Sequence, residues 1–322
     1  MAEWTDTRPR AGVDYPGTWP AFREWFPDDA ACAAFLEQLR WPEGFMCPVC
    51  GAAGGWQIAG GRWWMCGSCA RKTAVTAGTI FEGTRTPLSS WFAAAWFVTS
   101  QKQGLSALGL QRALGLGSYQ TAWMMLHRFR VAMVRPDRER LSGRVEVDET
   151  YVGGHEDWAR GRQTATKARV AVAVEILEPK GFGRIRLQTI PDVSKASLIG
   201  FVKASIEPAA TVRTDGWRSY LTLPDHGYIH DRVVMTDGND AAHVAMPEAH
   251  RVASLLKRWL LGCHQGAVEA QHLDAYLNEF TFRFNRRRSQ ARGLLFYRLL
   301  EQAAHTPPVT YKNIVGGNTQ QA

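Results

Sequence analysis

"VEVDETYVGG", residues 145–154, decides how the second half of the chain is read. Valines alternate with acids, the period of a strand with one apolar face. Asp148 and Glu149 then stand side by side, and Gly153 and Gly154 stop the run. Side chains alternate along a strand, so Asp148 and Glu149 are expected on opposite faces. An acid carried to a strand end, in a chain with a formal charge of +8, calls for partners elsewhere in the sequence.

Those partners lie downstream. "ARVAVAVEIL" (168–177) and "GRIRLQTI" (183–190) continue the strand pattern, and "SKASLIGFVKASI" (194–206) has a helical one. "ATVRTDG" (210–216) and "YIHDRVV" (228–234) read as short strands, and helices are expected over 247–262 and 270–288. The order is read as β-β-β-α-β-α-β-α, an α/β (α+β) fold with a five-stranded mixed sheet. Three antiparallel strands, a helix and then a parallel strand put the first and fourth strands side by side. Asp148 and Asp215 are then expected to meet. Two carboxylates in one crevice repel unless cations bridge them. Mg²⁺ takes carboxylate, water and phosphate oxygens. Two such ions about 3.5–4 Å apart form the clamp for in-line attack on a phosphodiester. The 247–262 helix offers Glu248 and His250 as a third ligand. Lys257, seven residues after His250, falls on the same helical face, placed to hold a phosphate.

The first half carries a different signal. Cys47-x2-Cys50 and Cys66-x2-Cys69 are separated by fifteen residues. Two such knuckles on facing hairpins complete a tetrahedral Zn²⁺ site, and four thiolates make it structural rather than catalytic. Gly51 and Gly67 are expected to supply the backbone freedom. Arg62, Trp63, Trp64, Arg71 and Lys72 make the ribbon either a nucleic-acid face or a small aromatic core. Cys32 and Cys263 fall in helical patterns and read as buried thiols.

Residues 88–134 read as three helices with a glycine-containing turn, Gly115 and Gly117, before the last, which resembles a helix-turn-helix. The last opens at Ser118 with Tyr119, Gln120 and Thr121, and carries His127, Arg128 and Arg130 as candidate DNA contacts. The 270–288 helix carries Glu279, Arg283 and Arg286 on one face, with Arg287 beside them: a salt-bridged solvent face or a basic edge along a DNA backbone. Phe280, Phe282 and Phe284 alternate with polar residues, so only some are expected in the core.

Bulk composition agrees with a DNA-associated globular protein. Of 322 residues, 45% are hydrophobic and 21% charged, and the pI is about 9.3. No apolar run reaches membrane-spanning length and the start lacks a signal-peptide pattern, so a cytoplasmic, nucleoid-associated protein without a membrane partner is expected. The expected divisions are a loose arm (1–27), a helix plus zinc ribbon (28–86), a helical DNA-binding region (87–136), a catalytic domain (140–302) and a flexible tail (303–322).

The segments "RWPEGFMCPVCG", "GTIFEGTRTPLSSWF", "VEVDETYVGG", "TDGWRSY", "SLLKRWLLGCHQGAV" and "HLDAYLNEFTFRFNRR" together resemble the zinc-ribbon DDE transposases of bacterial insertion sequences, the ISXO-like group. The resemblance runs from about residue 28 to 302. It implies an RNase H-like catalytic core behind a zinc ribbon and a helical DNA-binding region. It implies Mg²⁺-dependent cleavage at transposon ends and attack of the freed 3′-hydroxyl on target DNA, by at least a homodimer on double-stranded DNA. Asp148 and Asp215 match the first two catalytic acids, Lys257 the family lysine, and Glu279, Arg283 and Arg286 its Glu-Arg-Arg spacing. Where the family often carries Glu or Asn, this chain has His250. Imidazole suits transition metals, which points to Mn²⁺; alternatively His250 works as acid or base and Glu248 or a water completes the shell. Two other functions compete: a regulatory DNA-binding protein derived from a transposase, and a metal nuclease that cuts without joining.

Overall fold

A computed structural model describes residues 8–154, 167–179, 181–233, 246–266 and 268–316. The chain divides into two compact units, Pro136–Arg287 and a second made of Met1–Arg135 with Arg288–Ala322.

The Pro136–Arg287 unit is built on the sheet that the opening stretch begins. Its strands are β4 (Arg144–Val152), β5 (Ala168–Ile176), β6 (Phe182–Ile190), β7 (Thr211–Asp215) and β8 (Ile229–Val233), in the spatial order β6-β5-β4-β7-β8. β4, β5 and β6 are antiparallel neighbours; β7 pairs parallel to β4, and β8 parallel to β7. Helix α6 (Lys195–Ser205), capped by the Ser194 hydroxyl, makes the crossover from β6 to β7. Between β7 and β8 the chain makes two 3-10 turns, Arg218–Tyr220 and Pro224–His226, where the sequence pattern had placed an α-helix. Residues 216–228 separate the strands, near the shortest connection that joins parallel neighbours, and two short turns span it.

Both faces of the sheet are covered. Val145, Val147 and Val212 pack with Leu198, Phe201 and Val202 of α6 on one side. Val170, Val172 and Val174 pack on the other side against helices α7 (Pro247–His264) and α8 (Leu273–Asn285). This burial on both faces explains why β5 reads as an almost unbroken apolar run. All of Phe280, Phe282 and Phe284 are buried, against the expectation that only some would be. Phe280 and Phe284 join the sheet-facing cluster, while Phe282 is covered by the guanidinium of Arg286, 4.0 Å from its ring.

The other unit has an aromatic core. Helices α1 (Trp19–Trp25), α2 (Asp29–Arg40), α3 (Leu88–Ser100), α4 (Ala107–Leu114) and α5 (Tyr119–Ala132) come from its N-terminal part, and α9 (Arg292–His305) and α10 (Tyr311–Val315) from its C-terminal part. Phe22, Phe26, Phe35, Phe92, Trp96 and Phe296 surround one another, with tilted and edge-on pairs 4.9–6.1 Å apart. Two expected boundaries are corrected here. The arm is not loose from Arg8 onward: α1 is capped by Thr18, and its Phe22 and the following Phe26 are buried. α9 belongs to this unit rather than to the catalytic one, and the expected flexible tail continues as α10, whose Ile314 packs on Val131 and Val309. Residues 317–322 of that tail lie outside the described residues. A Cβ on Gly293 would collide with the Pro16 carbonyl oxygen, so a glycine there is what lets the N-terminal arm lie on α9.

The ribbon is a three-stranded antiparallel sheet, β1 (Gly55–Ile58), β2 (Trp63–Cys66) and β3 (Lys72–Ala74). Trp64 stacks on Phe45 at 4.9 Å and is the small core; Trp56 and Trp63 are exposed. No helix among the described residues is long and apolar enough to cross a membrane.

Candidate active site

The register of β4 on β7 brings the two acids together. Val145 pairs with Val212 and Glu146 with Arg213. Two residues further along each strand stand Asp148 and Asp215, on neighbouring strands about 4.8 Å apart. Even-numbered residues of β4 face α7 and odd-numbered ones face α6, so Asp148 shares the α7 side with Glu146. On that side His250 Nε2 lies 3.6 Å from Asp148 Oδ2. Asp148 is mostly buried, at 18% side-chain exposure, and His250 is at 40%. The Asp148 Oδ1 accepts the Glu149 N–H at 2.8 Å, and Asp215 Oδ1 accepts the Trp217 N–H at 3.0 Å. Each acid is therefore held through one of its oxygens by a main-chain amide. 

The stretch "TDGWRSY" is a bracket for Asp215. Trp217 and Ser219 both donate to the Val193 carbonyl, at 3.2 and 2.8 Å. Tyr220, wholly buried, donates its hydroxyl to Glu149 Oε1 at 2.5 Å. Burial raises the pKa of that phenol well above its usual value, and the charges of Glu149, Asp148 and Asp215 raise it further. The phenol thus lies within electrostatic reach of all three acids. Glu149 turns toward Tyr220 and away from Asp148, as strand alternation requires. Beyond Asp215 on the far strand, His230 Nε2 lies 2.9 Å from the Thr214 hydroxyl, and burial lowers its pKa, keeping it neutral.

Glu248 lies beside the buried Glu146. Burial pushes Glu146 up to about 7, and the neighbouring Glu248 charge adds to the effect. Of the two candidate third ligands, His250 is the one the fold presents to Asp148. Lys257 lies two turns further along the same flank of α7. It is exposed overall, but crowding around its stem and the charge of Lys167 lower its pKa.

The arginines expected on DNA are otherwise occupied. Arg128 donates to the Val309 and Ile80 carbonyls, both at 2.9 Å, and its neighbours His127 and Arg130 are buried at 1% exposure. Arg283 pairs with the buried Glu279 at 2.8 Å. Arg287 donates to the carbonyls of Gly183, Phe284 and Phe182, and Arg286 to that of Phe282. In the chain without DNA, these guanidiniums bind the protein's own main chain, which satisfies carbonyls that would otherwise be buried unpaired. Glu146, Glu149 and Tyr220 are the residues that sequence reasoning missed as parts of the site. Only strand alternation hinted at them, by placing Glu146 on the face of Asp148.

The four cysteines meet the geometric demand of zinc. Their Sγ atoms all lie within 4.8 Å of one another, with Cys47–Cys69 and Cys50–Cys66 both at 3.7 Å. A tetrahedron with Zn–S bonds of about 2.3 Å has edges of about 3.8 Å. The main-chain amides of Cys69 and Ser68 hold the Cys66 thiol below its usual pKa, favouring the thiolate that binds metal. The left-handed position in each knuckle follows its second cysteine: Gly51 at φ 71° and Ala70 at φ 54°. Gly67, expected to supply that freedom, does not take a positive φ. Among the described residues the quartet is the group of three or more such ligands that closes to within 4.8 Å.

Residues 140–285 match the family model described as the ISXO2-like transposase domain, and residues 27–72 match a transposase zinc-ribbon domain. The chain is 30% identical over 278 residues to an uncharacterized protein in transposable element ISH50 of Halobacterium salinarum, covering 80% of this chain and 91% of that protein. Among solved structures it is similar to a chain of the simian T-cell lymphotropic virus intasome in complex with PP2A regulatory subunit B56 gamma. That likeness has 14% identity and a TM-score of 0.31, over 62% of this chain and 72% of the other. The 140–285 match spans the five-stranded sheet, the RNase H-like core of a DDE transposase. The chain belongs to the zinc-ribbon, ISXO2-like transposases of insertion sequences.

Proposed function

We propose that Asp148, Asp215 and His250 form the centre at which this transposase cuts element-end DNA and joins the freed 3′-hydroxyl to target DNA. The carrying observation is the parallel pairing of β4 and β7, which sets the two acids side by side on the α7 face, with His250 3.6 Å from Asp148. That separation is short enough for both groups to reach one divalent ion at about 2.1 Å each. Phosphodiester chemistry of this kind commonly uses two such ions about 3.5–4 Å apart. Such ions, Mg²⁺ or Mn²⁺, would activate the attacking oxygen and stabilise the leaving one.

The chain's own residues do the positioning. Asp148 and Asp215 offer carboxylate oxygens from rigid strand ends. His250 offers an imidazole from the first turns of α7. Lys257, on the same flank, neutralises a backbone phosphate and sets the strand's register beside the acids. Glu149 and Tyr220 fix the loop after Asp215. The ribbon and the α4–α5 pair, with exposed Tyr119 and Gln120 at the start of α5, supply further DNA contacts, and two copies on paired element ends make the working assembly.

Labelled terminal-repeat DNA with Mg²⁺ or Mn²⁺ tests this reading. Strand joining by the native chain is expected; nicking alone supports a nuclease, and binding alone a regulator. Asp148→Asn and Asp215→Asn should lose cleavage while retaining DNA affinity, and normal cleavage in either variant refutes the site. Lys257→Ala should weaken binding on all sequences alike and reduce the salt slope by about one.

A further inference from the structure

Beneath the candidate site lies a second layer of charge, and its connections run to the site residues by fixed steps. Glu146 is two residues before Asp148 on β4 and faces the same side. Arg213 pairs with it in register on β7, two residues before Asp215. Ala249, whose N–H donates to Glu146 Oε1 at 2.7 Å, is one residue before His250 on α7. Glu146 is fully buried, paired in register with Val174, on the sheet face where Val174, Val252 and Leu256 form the apolar cluster. A carboxyl is costly there unless it is used.

Its use is at the start of a helix. The N-cap position of α7 is Met246, which provides no side-chain cap. The first four N–H groups of a helix lack intrahelical acceptors, and Ser, Thr, Asp or Asn normally serves the need from within the chain segment itself. Here the acceptor comes from a neighbouring strand, 103 residues away in sequence. A carboxyl oxygen aimed at that end is also favoured by the helix dipole. The bond therefore ties the height and rotation of α7 to β4, one step below the place where His250 meets Asp148.

We propose that Glu146 is a positioning residue: by accepting the Ala249 N–H it holds α7 so that His250 and Asp148 share one cation. This rests on the catalytic reading above. What matters in such a role is the reach of the acceptor oxygen, not its charge. Two near-isosteric variants separate the two properties. Glu146→Gln keeps the reach and loses the charge; Glu146→Asp keeps the charge and withdraws the oxygen by about one bond length (~1.5 Å).

The test is Mn²⁺ affinity by electron paramagnetic resonance titration of the full chain, alongside cleavage turnover, DNA affinity and thermal unfolding. Glu146→Asp is expected to bind Mn²⁺ about 10–100-fold more weakly and to lose turnover in proportion, the cost typical of removing support from a metal ligand. DNA affinity should stay within about twofold, a change too small to shift binding free energy materially. Glu146→Gln should match the native chain in Mn²⁺ affinity. In a His250→Ala background, Glu146→Asp should cost no further Mn²⁺ affinity, because the ligand it positions is gone. Native Mn²⁺ affinity in Glu146→Asp, equal damage in both variants, or an undiminished loss in the His250→Ala background overturns the proposal. Asp148→Asn scores the underlying reading separately: normal cleavage there removes the site itself, whereas an unaffected Glu146→Asp removes only the positioning role.

Discussion

The zinc ribbon and the five-stranded sheet both hold candidate metal ligands in place, and they do so from opposite resources. In the ribbon, the buried cluster is Phe45, Cys47 and Cys66, with Trp41, Ala52 and Trp64 against it, so two of its three innermost residues are themselves ligands. Strands of three and four residues cannot bury enough apolar surface to fold unaided. In the sheet, two apolar clusters cover both faces, and Asp148 and Asp215 are carried on strands that those clusters already fix. The ribbon, with so little core of its own, leans on its metal for a shape; the sheet has a shape without one, and the proposed site at Asp148 and Asp215 rests on it. A closed site serves structure and an open one serves chemistry, and the difference follows from how much core lies beneath each.

Stripping zinc breaks this comparison most forcefully. Structural zinc supplies about 10–16 kcal/mol to small domains of this kind. Cys66→Ser, or chelation, should therefore unfold residues 45–75, seen as proteolysis confined to that stretch, with zinc content falling to zero. The β4–β8 sheet should keep its unfolding midpoint in the same sample; a parallel loss would mean that the sheet also depends on zinc. The counterpart in the catalytic unit is the Glu279–Arg283 pair, at 1% and 13% side-chain exposure. Glu279→Ala leaves Arg283 buried without its partner, at a cost of about 3–5 kcal/mol, to be read by urea unfolding. An effect below about 1 kcal/mol would put the pair in the class of surface bridges.

These same contrasts explain what was legible in the sequence. The quartet could be read because zinc dictates spacing locally. Asp148 and Asp215 could be paired because strand alternation and the order of elements determine which strands touch. Phe22 and Phe26 could not be placed, since the ring that meets them, Phe296, is some 270 residues away. The main-chain partners of the arginines were hidden for a related reason. A sequence displays the charge of Arg128 or Arg287, but not the carbonyls of Val309 or Phe182 that accept from them. Glu146 looked like one more polar residue in an alternating strand, and only the packing of α7 gives its carboxyl a donor.

Acid sharpens the comparison at intermediate cost. Glu175, on β5, is buried, which alone would raise its pKa, but the Arg184 side chain and the Arg184 and Ser142 amides outweigh burial and hold it below the usual value of 4.5. A depressed pKa means that the folded state binds the proton less tightly than the unfolded one. The stability Glu175 gives is complete above its unfolded pKa and is lost as pH falls through the folded value. Glu175→Gln should thus flatten the acid limb of the sheet's unfolding curve below pH 4.5, while leaving the zinc content of the ribbon unchanged at each pH. The ribbon releases its metal as protons compete for the thiolates, a separate titration followed by zinc release.

The smallest expected effect lies between the two knuckles themselves. In each, the residue after the second cysteine donates its N–H to the carbonyl of the first: Gly51 to Cys47 at 2.9 Å, and Ala70 to Cys66 at 3.1 Å. Both take a left-handed conformation, yet only one is glycine. A left-handed backbone costs a residue with a Cβ about 1–2 kcal/mol, against about 0.5–1 kcal/mol of extra chain entropy lost by glycine. Ala70→Gly should consequently stabilise the ribbon by about 0.5–1 kcal/mol, and Gly51→Ala should destabilise it by a similar amount. Competition with a chelator reads both, as a several-fold shift in opposite directions of the concentration that removes half the zinc. Equal and like-signed shifts would mean that the knuckle backbone is set by the metal alone, with no share left to the residue that turns it.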